Sequence, residues 1–151
     1  MAAARTRAEP TTVDDAPDAW VDFLRAHAAI TRELDLDLRR AHDLSLSQYE
    51  VLLQLWLTEE HRLRRVDLAE RLLISQGGVT RLLAGLEREG LVERASCETD
   101  RRVVYAQLTP DGVRRVEEAR CDHLTDVARL FGDRFSAAEM RTLGGLLAHL
   151  R

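Results

Sequence analysis

Residues 74–109 read ISQGGVTRLLAGLEREGLVERASCETDRRVVYAQLT, and the order of signals along them decides the fold. Ser75 can cap a helix, because its side-chain oxygen can accept from backbone N–H groups two or three residues on. Val79, Leu82, Leu83 and Leu86 then recur at helical spacing and leave Gln76, Thr80 and Arg81 on another face. Gly90 suits the left-handed residue that ends such a helix, which limits it to about four turns. Leu91 to Arg94 and Val103 to Leu108 read as two strands. The polar stretch 95–102 between them reads as their loop, with Asp100-Arg101-Arg102 at its tip.

A two-faced helix followed by a hairpin describes a winged helix, and the chain on both sides reads as further helices. Trp20, Phe23, Leu24, His27, Ile30, Leu34, Leu38 and Ala41 form one stripe, predicting a long first helix that ends near Asp43. Ser47-Gln48-Tyr49-Glu50, flanked by Leu46 and Val51, has the form of a capping box with a hydrophobic staple, so a second helix is expected from there to about Glu59. Leu63-Arg64 suits a one-rung strand beside the wing. Val66 to Leu73 makes the first helix of a helix-turn-helix; it lacks a Ser or Thr cap, and Asp67 in its first turn compensates through the helix dipole. Beyond the hairpin, Thr109 and Pro110 supply a cap and a first-turn proline for a helix carrying Val113, Val116, Leu124, Val127 and Leu130, with Gly132 as its stop. Ser136-Ala137-Ala138-Glu139 is a second capping box, between Phe135 and Met140. It opens a terminal helix containing Leu143, Leu146, Leu147 and Leu150.

The 151 residues suit one domain of ordinary apolar content, 45%. All 22 basic residues are Arg, and neither Lys nor Asn occurs, which points to a GC-rich, bacterial coding genome. Formal net charge is −4, yet residues 61–103 hold nine Arg against seven acids, so a local excess of +2 stands against −6 elsewhere. Distribution matters more than the sum for a polyanionic partner. Residues 1–16 are small, polar and Pro-containing, the composition of a disordered arm. No apolar run long enough for a membrane span is present, so a cytoplasmic protein is expected. The chain has no Gly-x-Ser-x-Gly, phosphate-binding Gly-rich loop, His-Glu-x-x-His or Cys-x-x-Cys, which argues against an enzyme and against a cofactor.

The residues together resemble the MarR (multiple antibiotic resistance regulator) family of transcription factors. The resemblance rests on Asp67-Leu68-Ala69-Glu70-Arg71-Leu72, on Val79-Thr80-Arg81 with Leu86-Glu87-Arg88-Glu89-Gly90-Leu91-Val92-Glu93-Arg94, and on Asp100-Arg101-Arg102 six residues before Leu108-Thr109. The first two pieces occur in many winged helices, the third is more particular to this family, and the whole covers roughly Asp18 to Arg151. It implies a mainly α fold with a small β-hairpin wing, in the order helix, helix, strand, helix, helix, strand, strand, helix, helix. The DNA-binding lobe spans about 47–109 within a single 17–151 domain. Helices at about 17–43 and 110–151 are implied to intertwine in a homodimer; the alternative is an intramolecular bundle.

Double-stranded DNA is then the expected partner. An α-helix fits the major groove, where Gln can pair with adenine and Arg with guanine, while Thr offers its hydroxyl to phosphate or its methyl to thymine. That assigns base reading to Gln76, Thr80 and Arg81 beside the cap residue Ser75. Gly77 and Gly78 leave the first turn bare, either for close approach of the backbone to phosphate or for tight helix packing. By resemblance Arg102 enters the minor groove, whose negative potential deepens where it narrows. Asp100 orients a neighbouring Arg through a charge-assisted hydrogen bond. Arg101 and Arg94 are phosphate contacts or wing braces. Twofold symmetry predicts a pseudo-palindromic operator with half-sites about one helical turn apart.

Family members commonly release DNA when a small aromatic or phenolic ligand enters the crevice between the dimerisation helices and the DNA-binding lobe. By position His27, Tyr49, Leu53 and Trp56 would line it; residues of these types on apolar helical faces also serve as core or interface. A redox-responsive regulator would use Cys97 or Cys121, which lack an evident activating pattern. The five His are scattered, without metal-ligand spacing. A winged helix used only to bind protein is the remaining alternative. Salt separates the two, since DNA binding weakens steeply as salt rises.

Overall fold

A computed structural model of the chain describes residues 15–96 and 103–150. Most of the expected arm, together with Cys97, Asp100, Arg101 and Arg102, lies outside the described residues.

Helix α1 runs Asp15–His42, starting two residues inside the expected arm. Asp15 and Asp18 favour that start by facing the positive end of the helix dipole, and Pro17 is tolerated in a first turn. Only Leu34 and Leu38 of this helix are buried. Its C-terminal end is fastened by α5 (Pro110–Leu130): the Arg115 Nη1 donates to the His42 carbonyl at 2.7 Å, and His42 lies 2.9 Å from Asp122.

Helix α2 spans Leu46–Trp56, and its capping box differs from the expected one. Ser45, not Ser47, is the cap: its hydroxyl accepts from the Gln48 N–H at 3.1 Å, and the Gln48 side-chain oxygen accepts from the Ser45 N–H at 2.9 Å. Burial explains the shift. The Ser45 register makes Leu44 and Tyr49 the two arms of the staple, and both are buried, whereas Ser47 and Glu50 stay in water. Asp35 adds to it by accepting from the Leu46 N–H at 2.8 Å. The Arg39 guanidinium on the same carboxylate holds the Asp35 pKa below its ordinary value. The helix also ends before Glu59. The Thr58 hydroxyl donates to the Leu55 carbonyl and the His61 ring N–H to the Trp56 carbonyl, so side chains take over the last acceptors.

Strand β1 (Arg62–Arg64), α3 (Arg65–Leu72), α4 (Gln76–Arg88), β2 (Val92–Ser96) and β3 (Val104–Leu108) complete the expected lobe. The antiparallel sheet has the order β1-β3-β2, with Leu63 opposite Ala106 and Arg94 opposite Ala106 from the other side. Gly90 adopts the left-handed conformation, φ 72°, expected at the end of α4. As expected, α3 has no side-chain cap; Asp67 instead holds Arg64 through two bonds of 2.8 and 2.7 Å.

The core gathers Leu52 and Leu55 of α2, Leu68 of α3, Val79, Leu83 and Leu86 of α4, Ala106 and Leu108 of β3, and Val116 and Ala119 of α5. Helix α5 is locked onto the turn that follows α4. The Thr109 hydroxyl donates to the Gly90 carbonyl at 2.6 Å and caps α5 by accepting from Gly112, while the Thr109 N–H donates to the Leu91 carbonyl. A Cβ on Gly112 would overlap that Leu91 oxygen, so this position admits only glycine without movement. After Leu130 the chain passes through a short 3-10 turn, Gly132–Arg134, into α6 (Ala137–Ala148), which the expected Ser136–Glu139 box caps.

Candidate nucleic-acid interface

Helix α4 presents its two faces as the sequence divides them. Val79, Leu83 and Leu86 are buried, while Gln76, Thr80 and Arg81 are exposed. Ser75 accepts from the Gly78 N–H at 3.1 Å, which leaves its own hydroxyl proton free for an acceptor outside the chain. The Gln76 and Gly77 N–H groups precede the first intrahelical bond, from Val79 to Ser75, and have no acceptor among the described residues. Thr80 turns its hydroxyl back to donate to the Gln76 carbonyl at 2.9 Å, so its methyl is the group left outward.

The two glycines of the first turn are not demanded by packing. A Cβ on Gly77 would meet only the Ser75 oxygen at 4.0 Å, and one on Gly78 would make ordinary contact with Ser75 at 3.4 Å and Ile74 at 3.7 Å. Tight helix–helix packing therefore does not account for them, although each lowers helix propensity by about 1 kcal/mol relative to alanine.

Arg94 on β2 points back to α4, its Nε 3.1 Å from the Glu87 carboxylate. Of its two expected roles, this geometry is that of a brace between wing and helix. Sequence spacing gave no sign of Glu87 as the partner, because the pair closes around a turn. Nearby, Arg62 lies over the Tyr105 ring at 5.0 Å and also pairs with Glu60. Between α4 and the sheet a cleft of about 40 Å³, lined in part by Arg65, Thr80, Glu87 and Arg94, has room for little more than water.

The four residues expected to line a ligand crevice are differently placed. Tyr49 is 2% exposed, its ring 4.5 Å from that of His123 on α5. Trp56 is half-buried; its indole N–H donates to Glu117 at 3.2 Å and Arg120 covers its ring at 5.3 Å. Leu53 is half-buried against the core, and His27 is exposed on α1, beside Phe23. Tyr49 and Trp56 thus seal α2 against α5. Cys121 is free and exposed.

Comparison with known proteins agrees with this architecture. The MarR family model matches residues 44–104. The HTH-type transcriptional repressor YetL of Bacillus subtilis is 29% identical over 110 residues, covering 71% of this chain and 66% of its own. Among solved structures, AbsC, a MarR family transcriptional regulator from Streptomyces coelicolor, superposes with a TM-score of 0.84 at 28% identity, over 94% of this chain and 95% of that one. Sco3205 from the same organism, a MarR family regulator solved in complex with DNA, gives 0.85 at 25% identity, over 95% and 91%. With α4, its Gly90 stop and the three-stranded wing sheet in the places the family pattern requires, residues 44–104 match the MarR family model, and the chain is similar in sequence and fold to MarR family transcriptional regulators.

Proposed function

We propose that the chain acts as a homodimeric, sequence-specific repressor that binds a pseudo-palindromic operator and leaves it when a small aromatic or phenolic ligand binds. The observation that carries the DNA reading is the first turn of α4. It joins exposed Gln76 and Arg81, two free backbone N–H groups and two glycines that packing does not need. Gln76 and Arg81 read base edges from the major groove, and Ser75 with the free amides takes a phosphate. Thr80 offers its methyl to thymine, because its one proton is already given to Gln76 and a phosphate has none to return. Arg102, with Asp100 and Arg101, extends the contact to the minor groove on the strength of the family pattern. Arg94 serves as a brace through Glu87.

Support for the dimer comes from both chain ends. No residue of α6 is buried in the single chain, and an isolated helix of 12 residues is marginal in water. Trp20, Phe23 and Leu24 on α1 and Leu124 on α5 are likewise uncovered. For release, a ligand entering beside Leu53 and Trp56 has to displace the Tyr49–His123 contact and thereby part α2 from α5. Repression is proposed on the analogy of the repressor YetL.

The test is binding of the purified protein to the intergenic DNA beside its own gene, at two salt concentrations and with unrelated competitor DNA. Tight, salt-sensitive and competitor-resistant binding is expected; equal affinity for the competitor would overturn specific recognition. Arg81→Ala should relax base preference at one position of each half-site by about 1–3 kcal/mol. Arg102→Ala should weaken all sequences together.

A further inference from the structure

We propose that Leu73, in the turn between α3 and α4, is an apolar contact to DNA that seats against the deoxyribose edge of the strand flanking the recognition helix. The inference rests on the DNA-binding reading above and adds to it a residue that its base-reading and phosphate-binding set does not contain.

Two independent features of Leu73 are unfavourable for the free protein. Its backbone is left-handed, φ 55° and ψ 36°, at the C-cap of α3. Helices commonly close on Gly or Asn in that conformation, because a Cβ there crowds the neighbouring carbonyl, and a leucine carries that crowding. The residue is also 91% exposed, more than any other large apolar residue among the described residues. The next residue is less open: Ile74 is 38% exposed, with its Cδ1 3.7 Å from where a Cβ on Gly78 would stand. Of the two apolar residues of the turn, Leu73 stands out much the further.

Leu73 stands two positions before the Ser75 cap, and three and four before Gln76 and Gly77 with their free amides. A DNA strand held at those amides would lie close along the chain to Leu73. Strained conformations persist where the surroundings use them, and apolar groups at such a border are suited to the sugar, the apolar part of the backbone between two phosphates. The charged contacts of the same border fall to other residues: Arg71 and Arg81 are both exposed. A contact to sugar positions the helix without selecting a base.

The experiment compares Leu73→Gly, Leu73→Asn and Leu73→Met with the wild type. It measures thermal midpoint, sedimentation and affinity for an operator fragment selected from random DNA, over a range of salt. Gly and Asn accept the left-handed backbone and remove the apolar group. Both should raise the midpoint while weakening operator binding several-fold, with the salt slope unchanged because an apolar side chain displaces no counterions. Met keeps an apolar arm and should retain affinity within about twofold, a difference under roughly 0.5 kcal/mol. A raised midpoint with unaltered affinity in Gly and Asn would overturn the assignment, as would a changed salt slope. Loss of the sedimenting dimer in these two variants would place a second copy of the chain on Leu73 instead. If the wild type selects no operator at all, the DNA reading itself falls, an outcome distinct from a binding wild type with indifferent variants.

Discussion

At Gly112 the backbone of α5 passes so close to the Leu91 carbonyl that a side chain has nowhere to go, with the Leu108 methyl a further 3.2 Å neighbour. Gly112→Ala should destabilise the fold by about 3 kcal/mol or more, since the overlap is with backbone and cannot be relieved by a rotamer. Chemical denaturation checks this, and an unchanged midpoint would refute the lock. In the sequence Gly112 is only a residue between Pro110 and Val113 at a helix start, because its close approach to Leu91, 21 residues earlier, leaves no local mark. Ser75, Gly90 and Thr109 were legible for the opposite reason: each acts on atoms within a few residues of itself. Leu73 lies beyond both cases, since nothing in a leucine announces a left-handed backbone.

Among the elements, α2 carries the sharpest divergence between sequence and structure. Two overlapping patterns, Ser45 with Gln48 and Ser47 with Glu50, satisfy the same local rule, and the choice between them is tertiary. Leu44 and Tyr49 sink into the core, and Asp35 from α1 claims the Leu46 amide. Ser45→Ala should therefore cost about 1 kcal/mol in unfolding free energy, as removal of a working cap does, while Ser47→Ala should be near neutral. Equal effects would mean that the cap is shared. The remaining elements lie within a few residues of their expected bounds, the wing sheet included, because helical and alternating apolar patterns carry them without help from distant contacts. For Arg94 the sequence offered a wing brace as one of two roles, but not its partner Glu87, since the pair joins a strand to a helix across a turn.

Over the whole molecule the apolar surface is unevenly spent. Trp20 is 59% exposed near one end of the chain, and Leu146 and Leu150 are 59% and 75% exposed near the other. Leu146→Glu should shift the protein from dimer to monomer in sedimentation velocity; an unchanged mass would remove α6 from the proposed interface. The seam between α2 and α5 gives a second, pH-dependent expectation. Burial pushes the His123 pKa below its ordinary 6.5, against an upward pull from Asp126, and its Nδ1 is buried without a partner. The unfolded chain thus takes up the proton at a higher pH than the folded one. The resulting stability is complete above 6.5 and is lost as pH falls from there toward the lower folded value. Denaturation at pH 7.5 and about 5.5 should show that loss in the wild type and less of it in His123→Phe, which keeps a ring against Tyr49.

The junction of Thr109 and Gly112 with Gly90 and Leu91 has a mechanical meaning in the proposed dimer. Because the far end of α4 and the near end of α5 share one anchor, α5 behaves as one arm of a pair of calipers whose jaws are the two recognition helices. Its 21 residues form a rod of roughly 30 Å. Pivoting such a rod by about 5° at one end carries the other through about 3 Å, close to the rise of one base pair at roughly 3.4 Å. In the proposed dimer, a shift of that size at the far end of α5 would put the second jaw out of phase with its half-site.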